Sequence, residues 1–460
     1  MRIRRTWSRG AAALLSSGFV LAASGIAAPT VLADPGPLGP VAAIPAQGTP
    51  SLGPSGTTEQ IRQLTACGGT MYAVGSFTEI SQNGVTYPVS NVISFSETAP
   101  YTLNSWAPAV NGTVNTIGFA SGNCADAYIG GNFSSVGGVP AKDIAEIDTT
   151  TGQLVPTFET RASGQIETIL GYNNHLLVGG YFKTINGNDT DHYMASLDPV
   201  TGKDDGFIQL NISGNYQFPG SGTNPTRVYN QQLSRGGTLD LVEGDFTSVG
   251  GQGRQQIFML DLSGATAQVT GWSSPEWDGS QGNLPFGYPY QCHGNEAFYL
   301  QAASWSADDS TIYIATTGYH PWNLQAGSYP RSGLCDAAAA FPSTQTEVTH
   351  LWVNYTGCDS LYSTAADAST AYFGGHERWS TNANGCDYAG PDAISAPGME
   401  GLSPAGGDLT FNPTRARGLG ADDMLVTDQG LWIGSDNLKG ANRCGNRKGY
   451  SGICLLPYSS

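Results

Sequence analysis

The sequence predicts an all-β chain: a seven-bladed β-propeller of four-stranded antiparallel blades, stapled by disulfides. Three observations predict it. A glycine-flanked phenylalanine recurs as "AVGSFTEI" around Phe77, "YIGGNFSSVGG" around Phe133, "LVGGYFKTING" around Phe182 and "LVEGDFTSVGG" around Phe246. These phenylalanines stand 56, 49 and 64 residues apart, a period of the kind repeat architectures show. Each repeat holds about four short strand-like runs divided by turn residues, and none carries the 3.6-residue apolar period of a helix. Finally, a second-strand segment can be matched seven times, at 72–77, 128–133, 176–182, 240–246, 311–317, 371–376 and 431–435.

In chain order, the opening "MRIRRTWSRGAAALLSSGFVLAASG" has a basic start. Its apolar run is too short and too broken by Gly and Ser to span a bilayer. With small residues at Val31 and Ala33, it reads as a signal peptide over 1–33, cut after Ala33. Residues 34–57 are rich in Pro, Gly and Ser and read as an extended arm or linker. Within it, "VAAIPA" (41–46) is placed to add an outer strand to the short last blade. Residues 58–460 form the propeller.

One full unit shows the pattern. "GTVNTIGFA" (112–120), "DAYIGGNF" (126–133), "DIAEID" (143–148) and "QLVPTFE" (153–159) read as four strands, with "TTTG" as the last turn. The unit after it repeats this order. The later units are degenerate, and the fifth and sixth carry long insertions. Crowding of blade against blade explains the glycine pairs, which allow close backbone approach or bulges. The phenylalanine fills the wedge between blades. Asp148, Asp198 and Asp261 stand where a short acceptor can hold a turn.

The formal charge of −17 becomes −21 once Arg2, Arg4, Arg5 and Arg9 leave with the leader. Such a surface disfavours nucleic acid and anionic membranes. No later stretch of roughly 18 apolar residues exists, so a secreted, extracellular monomer is expected. Eight cysteines then suggest four disulfides. Cys67 and Cys124 occupy matching places in consecutive repeats, and Cys444 and Cys454 close a short loop. Cys292–Cys335 and Cys358–Cys386 are favoured because each closes the shorter loop.

Runs such as "VGGVPAKDIAEIDTTTGQLVPTFE" resemble the delta-60 or Rax2-like propeller repeats of secreted bacterial proteins. The resemblance covers residues 58–280 best. The end of the chain, "TAYFGGHERW" through "GLWIGSDN", is similar to secreted actinobacterial propellers. A narrower resemblance is to the dispase autolysis-inducing protein family. Those are secreted propellers that engage a neutral metalloprotease and serve as transglutaminase substrates. The resemblance implies a protease or transglutaminase as partner, and glutamine cross-linking at Gln47, in the arm, or Gln60, beside it.

Several residues stand out as binding candidates. "GGHERW" places His376 where other repeats have Asn132, Tyr181 and Asp245. Glu377, Arg378 and Trp379 follow, either as an acid/base pair of His376 with Glu377 or as an Arg378–Glu377 ion pair under Trp379. Tyr319, Trp322 and Tyr329, with Trp272 and Trp277, are able to stack on sugars or anchor a protein, although Trp272 falls at a core position. Asp422 and Asp423 open the last blade near the central channel, as Glu167 and Arg227 do in theirs. "NGNDTDHY" (186–193) resembles part of a calcium loop but lacks its closing Glu. No zinc or cofactor motif and no catalytic motif is present. The leading expectation is an extracellular protein-binding module. The alternatives are a carbohydrate-binding or carbohydrate-active propeller and a structural component of the cell envelope.

Overall fold

The structure, a computed structural model, describes residues 40–53, 55, 57–188, 192–215, 225–277, 292, 298–318, 334–411, 413, 420–437 and 451–458. Among these the chain is all-β and wholly antiparallel in its sheets, with no helix. It forms seven successive meanders. Their first strands are Gln60–Cys67, Thr113–Phe119, Ile166–Tyr172, Arg227–Leu233, Leu300–Trp305, Leu361–Ala366 and Asp423–Thr427. Each first strand lies against the next, and the last lies against the first. This is the radial order of a β-propeller, with first strands innermost.

The second strands include Thr70–Ser76, Asp126–Asn132 and Leu239–Asp245, each ending one residue before a repeated phenylalanine. Phe77, Phe133, Phe182 and Phe246 are all buried. The two glycines of a pair serve different contacts. A Cβ on Gly130 would lie 2.5 Å from Ile166 Cγ2 of the next sheet. One on Gly131 would lie 2.2 Å from the Thr113 carbonyl at the start of its own first strand. The first glycine admits the neighbouring sheet and the second admits the inner strand's backbone.

Each third strand begins just after a residue in the left-handed region. The seven are Asn91 (φ 69), Asp143 (φ 64), Tyr193 (φ 69), Gln256 (φ 63), Asp336 (φ 47), Gly398 (φ 78) and Gly452 (φ 82). Asn and Asp tolerate this conformation better than most residues, whereas Tyr and Gln rarely adopt it. In four of the sheets one hydrogen-bond pair fixes it. Asp143 N–H donates to the Phe133 carbonyl (3.1 Å), and Gly131 N–H donates to the Asp143 carbonyl (2.9 Å). Asn91, Tyr193 and Gln256 repeat both bonds.

Among the described residues, four strands per sheet appear only in the fourth and fifth sheets. Elsewhere the expected outer strand shrinks to one bridge: Phe95–Leu103, Ile147–Leu154, Leu197–Asp204 and Leu402–Asp408. The outer segments explain this correction. "LVPTF" puts Pro156, which has no N–H, in the ladder, and "DDG" (204–206) favours a turn. At the seventh sheet the arm takes the outer place. Ala42 and Ala46 donate to the carbonyls of Pro457 (2.8 Å) and Leu455 (2.9 Å). Val41 is buried, and its N–H donates to the Tyr372 hydroxyl (3.0 Å). Residues 40–53 are therefore docked against the body, not a free linker.

Disulfides join Cys67 to Cys124, Cys292 to Cys335 and Cys358 to Cys386. Cys454 is also disulfide-bonded, while Cys444 lies outside the described residues. The turn aspartates act as expected. Asp148 Oδ1 accepts from Thr150 N–H (2.9 Å) and Thr151 N–H (2.6 Å), and Asp198 and Asp261 hold similar turns.

Candidate functional site

In six sheets the first strand carries one residue more than its partner, always near its beginning. The register skips between Ile61 and Gln63, Val114 and Thr116, Ile166 and Thr168, Val228 and Asn230, Leu300 and Ala302, and Leu361 and Ser363. The extra residues are Arg62, Asn115, Glu167, Tyr229, Gln301 and Tyr362. A bulge bends the strand and re-aims the extra side chain. In the seventh sheet Asp422 holds the matching place, its N–H bonded to the Gly434 carbonyl at 2.9 Å. Seven polar residues from seven sheets thus gather where the inner strands begin, at one mouth of the ring.

One side of this mouth is built on arginine. Arg62 Nη1 donates to Asn115 Oδ1 (3.0 Å), and Asn115 Nδ2 donates to the Ile166 carbonyl (3.1 Å). Arg227 lies over the rings of Tyr181 and Tyr229, 5.1 Å from each centroid, and donates to the Tyr181 hydroxyl. Its Nε is buried without a hydrogen-bond partner. Glu167 sits within the field of both guanidiniums and accepts from Gln165 Nε2 (2.5 Å). Burial pushes the Glu167 carboxyl above the usual range, and the charges of Arg227 and Arg62 pull it back.

The other side is built around Tyr362. Its hydroxyl lies 3.1 Å from His376 Nδ1, with the rings edge to face at 5.0 Å. Burial and the nearby carboxylates of Asp336, Asp422 and Glu377 push the Tyr362 phenol up to about 12. His376 stands at the end of its second strand, as Tyr181 does, and both reach a bulge-side partner. Glu377 is fully buried, away from any surface substrate. The expected Arg378–Glu377 ion pair is not the one formed. Arg378 grips Asp359 with two bonds, Nε to Oδ2 (2.7 Å) and Nη2 to Oδ1 (2.9 Å), and also pairs with Asp387. These two aspartates directly follow Cys358 and Cys386, so one disulfide anchors both jaws of the clamp. Trp379 is half-buried and begins a short strand paired with Ile394–Ser395.

The remaining candidates separate clearly. Asp423 faces a backbone, accepting the Leu64 N–H of the first sheet at 2.6 Å. Tyr319, Trp322 and Tyr329 lie outside the described residues, as do Asp189 and Asp191 of the calcium-like loop. Asn186 spends its side chain on the Arg161 N–H (2.9 Å) and the Gly202 carbonyl (2.7 Å). Among the described residues no three His, Cys, Asp or Glu side chains gather to hold a metal. Trp272 and Trp277 are both buried, so neither offers a stacking face. Gln60 lies within a paired first strand, not in a flexible stretch. Gln47 is exposed, between Ala46 and Gly48, which are both hydrogen-bonded to the body.

The sequence places Asp422, Asp423, Glu167 and Arg227 near the channel and His376 only at the end of a second strand. It missed Arg62, Asn115, Tyr229, Gln301 and Tyr362. Their one shared signal is register. In the five bulged sheets with a glycine there, the bulged residue stands 13 to 16 residues before the glycine that closes the second strand.

No known family's sequence profile matches the chain, and no curated protein matches it in sequence. Solved structures similar to it include "Structure of U3-55K", at 10% identity and a TM-score of 0.47, covering 91% of this chain and 100% of that one. "Crystal structure of RRP9 WD40 repeats" is similar at 9% identity and a TM-score of 0.46, covering 90% and 99%. The computationally designed Ika8 protein is similar at 9% identity and a TM-score of 0.41, covering 91% and 99%. At such scores these likenesses carry no argument about function.

Proposed function

We propose that the chain is a secreted protein-binding module, a closed seven-bladed propeller that meets its partner with the face around this mouth. The observation that carries the reading is the apolar rim. Hairpins leave the second strands on the same face as the bulges, as at Glu79–Gln82 with Val85–Pro88 and Ser135–Val136 with Val139–Pro140. Val85, Tyr87 and Val139 on these hairpins are exposed, and so is Tyr388 on the loop between Trp379 and Ile394. A polar centre inside a rim of exposed aliphatic and aromatic side chains suits a protein surface. The disulfides suit an oxidising compartment. Among the described residues no helix is long and apolar enough to cross a membrane.

An extracellular protease is the partner class the resemblance implies, and Gln47 is the better placed of the two cross-linking glutamines. The glycan reading is weaker because Trp272 and Trp277, two of its aromatic candidates, are buried. The test is cross-linking of the full chain to partners captured from culture medium, followed by mapping. Cross-links near residues 79–88, 135–140 and 380–394 are expected. Cross-links confined to the opposite face, at 149–152 and 198–202, would overturn the reading.

A further inference from the structure

We infer that the arginine side of the mouth is a receiving site for a single carboxylate, supplied by a peptide ligand, which binds between Arg62 and Arg227. The inference rests on the mouth being the working surface and adds the chemistry it selects. The chain has only 20 Lys and Arg against 37 Asp and Glu. Two of those scarce cations, Arg62 of sheet one and Arg227 of sheet four, both act on Glu167 of sheet three. Neither is spent on a bidentate partner of its own. Arg62 is exposed and gives Nη1 to a neutral amide oxygen. Arg227 gives one N–H to a phenol and keeps its buried Nε without a partner.

The two tyrosines make Arg227 a preset receptor. Rings on Tyr181 and Tyr229 hold its guanidinium at 5.1 Å from each centroid, so little rotamer freedom remains to be lost on binding. A planar guanidinium with free donors matches a carboxylate in geometry as well as charge. Glu167 already places one carboxylate within the field of both arginines, steadied by Gln165 Nε2 at 2.5 Å. It is the internal occupant that a ligand's carboxylate displaces or joins. The occupied aromatic faces argue against a sugar acid, which would need a free ring to stack on.

Carboxylates on peptides come from Asp and Glu side chains or from the C-terminus, and the experiment separates them. The probes are three short peptides of one neutral sequence. One carries a free C-terminus, one an internal Glu with an amidated end, and one is amidated without any acid. Trigalacturonate is the fourth probe. Each is titrated calorimetrically into the full chain and into Arg62→Gln, Arg227→Gln and Glu167→Gln.

One or both carboxylate peptides should bind at least tenfold more tightly than the neutral one. That preference should vanish in Arg62→Gln and strengthen in Glu167→Gln, which removes the competing charge. Arg62 is exposed, so its variant keeps the fold even where Arg227→Gln does not. Equal binding of the neutral peptide, an unaffected Arg62→Gln, weaker binding by Glu167→Gln, or binding of trigalacturonate alone would each overturn the inference. Should Arg62→Gln still capture a protein partner that maps to the mouth face, the broader reading survives and only the carboxylate site fails.

Discussion

Asp423 accepts the backbone N–H of Leu64 at 2.6 Å, across 359 residues of chain. This bond joins the last sheet to the first. The same device recurs around the axis. Gln63 Oε1 accepts the Ile117 N–H (2.6 Å), and Thr116 Oγ1 accepts the Ile169 N–H (3.1 Å). In each case the residue just after the bulge position reaches the equivalent amide of the following sheet. Asp423→Ala leaves the Leu64 amide without this acceptor and should cost about 1–3 kcal/mol. Asp423→Asn keeps an acceptor and should cost less. Urea denaturation checks both; equal losses would show that the carboxylate's charge, not the bond, is what matters.

The glycine pairs should differ in tolerance. Gly131→Ala drives a methyl into the Thr113 carbonyl, where only backbone can yield. Gly130→Ala meets the side chains of Ile166 and Thr116, which can turn away. Overpacking a core typically costs about 1–3 kcal/mol. Gly130→Ala belongs in that range and Gly131→Ala above it. A thermal unfolding comparison that ranks them the other way would refute the division of roles.

Arg378 should be the most sensitive residue of its motif. It is paired with the fully buried carboxylate of Asp359. Removing one partner of a buried pair costs about 3–5 kcal/mol. Lysine cannot reproduce the two-bond grip, so Arg378→Lys should recover less than half of the loss. His376→Ala, at a half-buried site, should cost much less. Chemical denaturation of Arg378→Ala, Arg378→Lys and His376→Ala decides the order.

Stability should fall as pH rises from about 4 toward 8. Burial raises the carboxyls of Glu146 and Asp423 to about 7, and those of Glu243 and Glu400 to about 8. Each then holds more proton folded than unfolded between its ordinary value and its raised one, so each contributes stability that is lost over that window. His350 has the same sign. Its hydrogen bond to Glu276 raises its pKa, so its contribution is complete below about 6.5 and is lost as pH climbs through the folded value. Asp148, Asp198 and Asp261 are lowered by turn hydrogen bonds and oppose this only below about 4. Denaturation midpoints should peak near pH 4–5, and Glu243→Gln should flatten the decline. A midpoint higher at pH 8 than at pH 5 would contradict the assignment.

What was legible in the sequence was whatever side-chain identity encodes. The glycine pairs, the buried phenylalanines and the turn aspartates repeat as letters, and so the second strands could be matched. The left-handed residue before each third strand could not be seen, because Tyr193 and Gln256 share the backbone angle of Asn91, Asp143 and Asp336 but not their chemistry. The mouth is hidden for a related reason. Arg62, Asn115, Glu167, Tyr229, Gln301, Tyr362 and Asp422 share one register but neither charge nor a common residue type. The outer strands were over-read because an apolar letter pattern says little about a segment at a sheet edge. There Pro156 or the Asp204–Gly206 turn decides.

Docking of residues 41–46 along Ile453–Pro457 also orders events in time. A chain emerging amino end first can build its middle sheets as local hairpins, which form quickly. The arm must wait for the last sheet, whose outer edge it supplies. Until the final strand arrives, the seam is an open strand edge, and such edges pair with any suitable backbone nearby. At high concentration that backbone is the arm of another copy. Refolding should therefore yield exchanged-arm dimers in proportion to concentration, and deletion of residues 34–50 should abolish them while lowering the stability of the monomer.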